Sequence, residues 1–298
     1  MNTEIHDYLD TVLTLMEDNA LRRGRVDWPA VRRRAHEATA EAASTADVYG
    51  VIRAAIDVLG DPHTFFLTPQ EVAESFGEEA AQQAPMPSGR LVDGRFALVD
   101  IPSATGVEDA DRRYVRTGAE LVRDLDGHRP QGWIVDLRGN TGGNMYPMLT
   151  VLAPLLGDGV LGWFADADGQ PCGHWILREG VVHHDDAPVS PRPHPYRLAD
   201  PGHPIAILTG PNTMSAGEAT LIAFRGLPHV RSFGAPTAGL ATGNAAIELD
   251  DGALLGLTTV QEADRTGRIY GTDPIAPDQP VPPDGDALQA AVDWLAAR

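Results

Sequence analysis

A chain of 298 residues is long enough to bury a sizeable core, as one large domain or two smaller ones. Its 42 acidic side chains against 23 basic ones leave a formal charge of −19, which repels phosphate backbones and anionic membranes and so speaks against nucleic-acid and membrane partners. Every basic residue is an arginine, so a serine–lysine mechanism is chemically excluded, and the single cysteine, Cys172, excludes an intramolecular disulfide.

From the N-terminus, Ile5, Tyr8, Leu9, Val12, Leu13 and Met16 recur at helical spacing. Asp27 and Pro29 open a second helix, and Val48, Ile52, Ala55, Ile56 and Leu59 mark a third that Gly60-Asp61-Pro62 ends. Arg32, Arg33 and Arg34, the one dense basic cluster, read as a solvated helix face. Residues 1–21 have no basic opening and no apolar run, so neither a signal peptide nor a membrane span is expected there, and cytoplasmic residence is the default expectation. Thr68-Pro69 starts a new segment that fades into a stretch rich in Ala, Gln, Pro and Gly. The pattern predicts an N-terminal helical domain over 1–79, carrying His63, and a linker over 80–89.

Beyond the linker, short apolar runs at 96–101 and 133–137 alternate with helical stretches near 110–125 and 145–155, the rhythm of an α/β domain over 90–298. Residues 161–164 and 174–182 read as a hairpin, followed by a Pro- and His-rich loop over 188–204; the insert 161–203 is expected to serve as a lid. An apolar strand at 205–208 leads to Ser215, where a helix starts that runs to about residue 227. A strand near 230–233 follows, then a hairpin whose Asp251-Gly252 turn joins 245–249 to 253–260. Leu288, Ala291, Val292 and Leu295 close the chain as an amphipathic helix.

Three features carry chemistry. A serine hydroxyl needs a base to take its proton and fixed donors to meet the oxyanion it creates. Ser215, in Thr213-Met214-Ser215-Ala216-Gly217-Glu218, stands where the amide of Ala216 and the positive end of a helix flank the reacting centre, although Ser followed three residues later by Glu is also a helix-capping pattern. A second turn, from the 133–137 strand through Arg138-Gly139-Asn140-Thr141-Gly142-Gly143, brings glycine amides to a strand end. It lacks the lysine of a phosphate loop and the spacing of a dinucleotide loop. His63, in Asp61-Pro62-His63-Thr64, sits in a turn between a helix and the aromatic pair Phe65 and Phe66 and is the candidate base. His183, His184, Asp185 and Asp186 lack ordered zinc-site spacing, and no metal or other cofactor is expected.

Together these segments resemble the serine peptidase family of the carboxyl-terminal processing (tail-specific) proteases and the tricorn core protease, which also includes the retinoid-binding modules of the interphotoreceptor matrix. Asp61-Pro62-His63-Thr64, Asp136-Leu137-Arg138-Gly139-Asn140, Ser215-Ala216-Gly217-Glu218, Gly234-Ala235-Pro236-Thr237-Ala238-Gly239 and Ile275-Ala276-Pro277-Asp278 appear in family order. The resemblance implies an α/β fold with a crotonase-like or ClpP-like core behind an N-terminal helical domain, and peptide hydrolysis through an acyl-enzyme. The tail-specific lysine would fall at Leu240, so the tricorn-like pair Ser215–His63 is the version this chain permits, with Ala216 and Gly142 or Gly143 as oxyanion donors. Pro62 replaces the serine of that branch, and Gly271 replaces its glutamate, leaving Asp273 or Glu262 to orient the histidine. About thirty residues separate His63 from the 96–101 strand, too few for the PDZ domain of many relatives.

The expectation is a serine peptidase acting on peptides; the alternatives are an esterase, thioesterase or cyclising acyl-transfer enzyme on a small acyl substrate, or a noncatalytic binding module for apolar ligands. A homo-oligomer is compatible with the sequence.

Overall fold

The structure, a computed structural model, describes residues 2–298. Its first elements are α1 (Asn2–Asn19), α2 (Trp28–Ala38), α3 (Tyr49–Leu59), the short strand β1 (Phe65–Leu67), α4 (Pro69–Phe76) and α5 (Glu78–Gln82). Local chemistry sets their ends. Asp27 caps α2 by accepting from Ala30 N, Gly60 closes α3 at φ 60°, and Thr68 with Glu71 forms a capping box on α4 with Pro69 in its first turn. The chain continues through β2 (Ser88–Val92), β3 (Phe96–Asp100), α6 (Glu108–Gly127), β4 (Gly132–Asp136), α7 (Met145–Val151) and α8 (Ala153–Leu156). There follow β5 (Gly159–Ala165), β6 (Pro171–Arg178), β7 (Val181–His184), β8 (Ala187–Pro188), β9 (Ile205–Thr209), α9 (Ala216–Phe224) and β10 (Val230–Gly234). The last elements are β11 (Thr242–Glu248), β12 (Leu254–Asp264), β13 (Gln279–Pro280) and α10 (Ala287–Ala296).

Two compact units divide these elements. The first comprises residues 1–77, 166–170 and 242–261. Its core joins Leu9, Leu13 and Met16 of α1, Ile52 and Ile56 of α3 and Phe66 of β1 to Leu249, Leu255 and Leu257. Here β12 pairs antiparallel with β1 and with β11, and the Asp251 carboxylate of the hairpin turn accepts from Tyr8 Oη (3.0 Å) and Tyr49 Oη (2.7 Å). The expected helical domain over 1–79 is thus extended by segments from later in the chain. The helices leave an apolar face against which the distant hairpin packs, so residues 242–261 group with them.

The second unit holds a six-stranded sheet in the order β13-β10-β9-β4-β3-β2, parallel except for the antiparallel edge strand β2. Side chains alternate between its faces as the period of a strand requires. Val99, Trp133, Val135, Ile205 and Ile207 pack among α6, α7 and α9, whereas Phe96, Leu98, Ile134, Ala206, Leu208 and Phe233 pack against α10. Half of the expected linker lies in regular elements: α5 covers 78–82 with Ala81 buried, and β2 begins at Ser88 and pairs with β3. The 145–155 helix is interrupted at Leu152, with Pro154 in the first turn of α8.

The 161–203 insert, expected to serve as a lid, carries strands as far as Pro188. β5, β6, β7 and β8 form an antiparallel meander, and the loop after it is tied down. Tyr196 Oη and Ala199 N both donate to the buried Asp126 carboxylate (2.7 and 2.9 Å), His194 N donates to Gly180 O (2.8 Å), and His194 and Leu198 are buried. No helix of the described residues is long and apolar enough to cross a membrane.

Candidate active site

The carboxyl ends of β4 and β9, neighbours in the parallel sheet, release two loops that meet, the place where open α/β sheets bind ligands. The loop after β9 is locked by Thr213: its Oγ1 accepts from Gly210 N (3.1 Å) and donates to Leu137 O (2.8 Å), at the end of β4. Met214 N then donates to Asn140 O (3.1 Å). The chain turns sharply at Ser215, with φ 52° and ψ −121°, and enters α9, every residue of which is buried. A serine that merely capped a helix would hold extended backbone with negative φ. Positive φ on a residue with a Cβ costs about 1–3 kcal/mol and persists only where the surroundings impose it.

Glu218 helps impose it. Its carboxylate, fully buried, accepts from Ser215 N (3.1 Å), Gly239 N (3.0 Å), Leu240 N (2.7 Å) and Thr237 Oγ1. Burial pushes this carboxyl up while the four donors pull it down, and burial wins. The Glu218 half of the capping pattern is thus real, but the same carboxylate also ties Ser215 to the 237–240 turn.

Asn140, completely buried, organises the facing loop. Its Nδ2 donates to Ile101 O (2.9 Å) and Pro102 O (3.3 Å), and its Oδ1 accepts from Gly142 N (2.9 Å). Gly142 and Gly143 follow at φ 104° and 99°, where a side chain is disfavoured. A Cβ on Gly142 would lie 2.9 Å from Ser215 Cβ and 3.4 Å from its Oγ; one on Gly143 would strike Ala104 O. Gly142 therefore brings backbone against the serine side chain, and Gly143 brings it against Ala104. One expectation fails: Gly142 N–H is consumed by Asn140, so it is not an oxyanion donor, and of the two glycines Gly143 keeps that role open.

His63 belongs to the first unit, Ser215 to the second. The histidine turn is fastened along its length. Asp61 Oδ1 accepts from His63 N (3.1 Å) and its Oδ2 from Thr64 Oγ1 (2.8 Å), Thr64 Oγ1 accepts from Thr258 N (3.1 Å), and Asn244 Nδ2 donates to His63 O (2.9 Å). The ring is held by Thr242, whose Oγ1 is 2.7 Å from His63 Nδ1. Burial holds the imidazole below its ordinary pKa, and the Asp61 charge opposes this only in part.

Neither acid expected to orient the histidine fills that place, because a neutral threonine occupies Nδ1. Asp273 is exposed on the loop before β13. Glu262, 2 % exposed, is buried with Oε2 unpartnered, and burial, reinforced by the Glu218 charge, raises its carboxyl well above the usual range. Among the described residues no three His, Cys, Asp or Glu side chains are grouped to hold a metal ion. Thr242 and Asn140 escaped the sequence reading. Asn140 stands beside two other polar side chains, Arg138 and Thr141, between the 133–137 strand and the paired glycines, and nothing in the sequence sets it or Thr242 apart.

Residues 95–281, more than half of the chain and including Ser215, the paired glycines and Thr242, match peptidase family S41. The chain belongs to that family. This S41 member is similar to the nisin-resistance protein of Lactococcus lactis subsp. lactis, with 29 % identity over 98 % of this chain and 87 % of that one. Among solved structures it is similar to a lipoprotein from Streptococcus agalactiae, with a TM-score of 0.83 and 28 % identity over 99 % and 96 % of the two chains. The photosystem II D1 C-terminal processing protease has the same fold, with a TM-score of 0.63 and 14 % identity over 94 % of each chain. The mixed α/β architecture with N-terminal helices is thus that of S41 proteases, and the protein is a serine peptidase by family.

Proposed function

We propose that this S41 peptidase, on a crotonase-like or ClpP-like core, hydrolyses peptide bonds through an acyl-enzyme with Ser215 as nucleophile and His63 as general base. The observation that carries the reading is the left-handed Ser215 at the mouth of α9, pressed against the Gly142 backbone, since such a conformation serves an exposed nucleophile and is costly for a cap. In this reading Ser215 Oγ attacks the scissile carbonyl and its proton passes to His63 Nε2. The oxyanion accepts from Ala216 N–H and Gly143 N–H beside the positive end of α9, each such donor being worth about 10²–10³ in rate. His63 returns the proton to the leaving amine, and water then releases the acyl group by the same route. The depressed imidazole pKa favours the neutral form that a general base needs.

A peptide substrate is supported by the family and by the resemblance to a nisin-resistance protein over nearly the whole chain, which makes nisin the first substrate to try. The charge of −19 favours cationic over anionic peptides. The test is a fluorophosphonate probe followed by mass spectrometry: the adduct should sit on Ser215, and Ser215→Ala should abolish it and lower peptide turnover by about 10⁶ if the residues act as a unit. A folded protein that takes no label on Ser215 would overturn the reading in favour of a noncatalytic binding module.

A further inference from the structure

Thr242 opens β11 and is 1 % exposed, so its hydroxyl is held by packing and not by solvent. Its strand grips the histidine turn twice: Thr242 Oγ1 lies 2.7 Å from His63 Nδ1, and two residues on, Asn244 Nδ2 donates to His63 O. The second contact is itself braced, since Thr258 Oγ1 on β12 donates to Asn244 Oδ1 (2.8 Å). All these residues lie in the first unit.

A neutral imidazole carries one N–H, on either nitrogen. If Nδ1 carries it, Thr242 Oγ1 accepts that hydrogen and Nε2 presents a lone pair; if Thr242 donates instead, the proton sits on Nε2 and the ring can take none from a serine. We infer that Thr242 is a positioning residue for the general base: it accepts the Nδ1–H of His63 and so fixes the tautomer whose Nε2 can receive a proton. This rests on the reading of His63 as the base of Ser215. A carboxylate in this position both orients a histidine and stabilises its charged form. Threonine does only the first. The charge acting on the ring comes from Asp61, which meets the turn at backbone N–H and Thr64 and leaves Nδ1 to Thr242.

The second-order rate of fluorophosphonate labelling, followed from pH 4.5 to 9, reads this without a known substrate. Thr242→Val, nearly isosteric, should label about 10- to 100-fold more slowly than wild type at pH 7.5 with its melting transition retained, and Thr242→Ser should recover most of the rate. Thr242→Asp should move the acid limb of the profile to higher pH, since it adds the missing charge. In wild type, ¹⁵N shifts of His63, assigned by their loss in His63→Ala, should report the Nδ1–H tautomer above the titration; this measurement needs no folded Thr242 variant. A Thr242→Val protein that labels like wild type, or an Nε2–H tautomer in wild type, overturns the role of Thr242 while leaving the serine–histidine pair standing. A His63→Ala protein that labels like wild type overturns the pair itself, and this role with it.

Discussion

Replacing Gly142 by alanine would put a methyl carbon 2.9 Å from Ser215 Cβ, 3.3 Å from Met214 O and 3.4 Å from Ser215 Oγ, on a residue whose φ is 104°. Two costs follow. The backbone conformation costs about 1–3 kcal/mol for a residue with a Cβ, which for a protein of this size lowers the melting temperature by about 2–5 °C. The contact with Ser215 Cβ can be relieved only by moving the serine or the loop by several tenths of an ångström. Catalytic geometry that loses about 1 Å loses about 10²-fold in rate, so Gly142→Ala should label with fluorophosphonate about 10- to 100-fold more slowly. Gly139, three residues earlier, is the internal control: a Cβ there meets nothing within 4 Å, and its φ is not left-handed. Gly139→Ala should match wild type in both melting and labelling. Equal labelling by the two variants, with equal melting, would refute the argument that the glycine exists to bring backbone against the nucleophile.

Two other substitutions test the buried polar groups around the site. Asn140→Asp keeps the shape but sets a carboxyl oxygen against Ile101 O and Pro102 O in place of the Nδ2 donor; we expect a loss of about 1–3 kcal/mol in urea melts and a fall in labelling beyond tenfold, and wild-type labelling would exclude Asn140 as the organiser of the loop. Glu262→Gln addresses the acid with an unpartnered oxygen. Because its folded pKa is raised, the native state holds a proton that the unfolded chain releases above the ordinary carboxylate range, so wild-type stability is full below that range and falls as pH rises. Glutamine has no proton to lose, so urea melts at pH 5 and pH 8 should show the variant gaining on wild type at the higher pH, and parallel curves would refute the assignment.

Much of this architecture was legible in the residues. The buried parallel strands are short apolar runs, and α1, α3 and α10 show their inner faces at helical spacing. Ser215 and the Gly142-Gly143 pair were recognisable because each sits just after such a run. What stayed hidden depends on pairing across the chain. Thr242 is an ordinary threonine at the head of a strand, and the partner that gives it meaning lies 179 residues earlier. The loss of Gly142 as a donor could not be read either, since it follows from which way the Asn140 amide turns. The anchoring of the 188–204 loop was hidden for a related reason: its length suggested a lid, whereas the bonds that Asp126, buried near the end of α6, makes to Tyr196 and Ala199 span some seventy residues of sequence. The break at Leu152 was announced by Pro154, which helical spacing alone had masked.

The first unit is assembled from stretches far apart in the gene product, and β12 crosses from one unit to the other after Gln261. The histidine half of the enzyme is therefore not a cassette. A fragment ending at residue 79 would lack the Leu249, Leu255 and Leu257 floor of its own helices as well as the threonine that holds its imidazole. Recombination could not donate or delete that half by a single exchange at the apparent boundary, and loss of residues 242–261 would strip a partner from an imidazole encoded near the start of the chain.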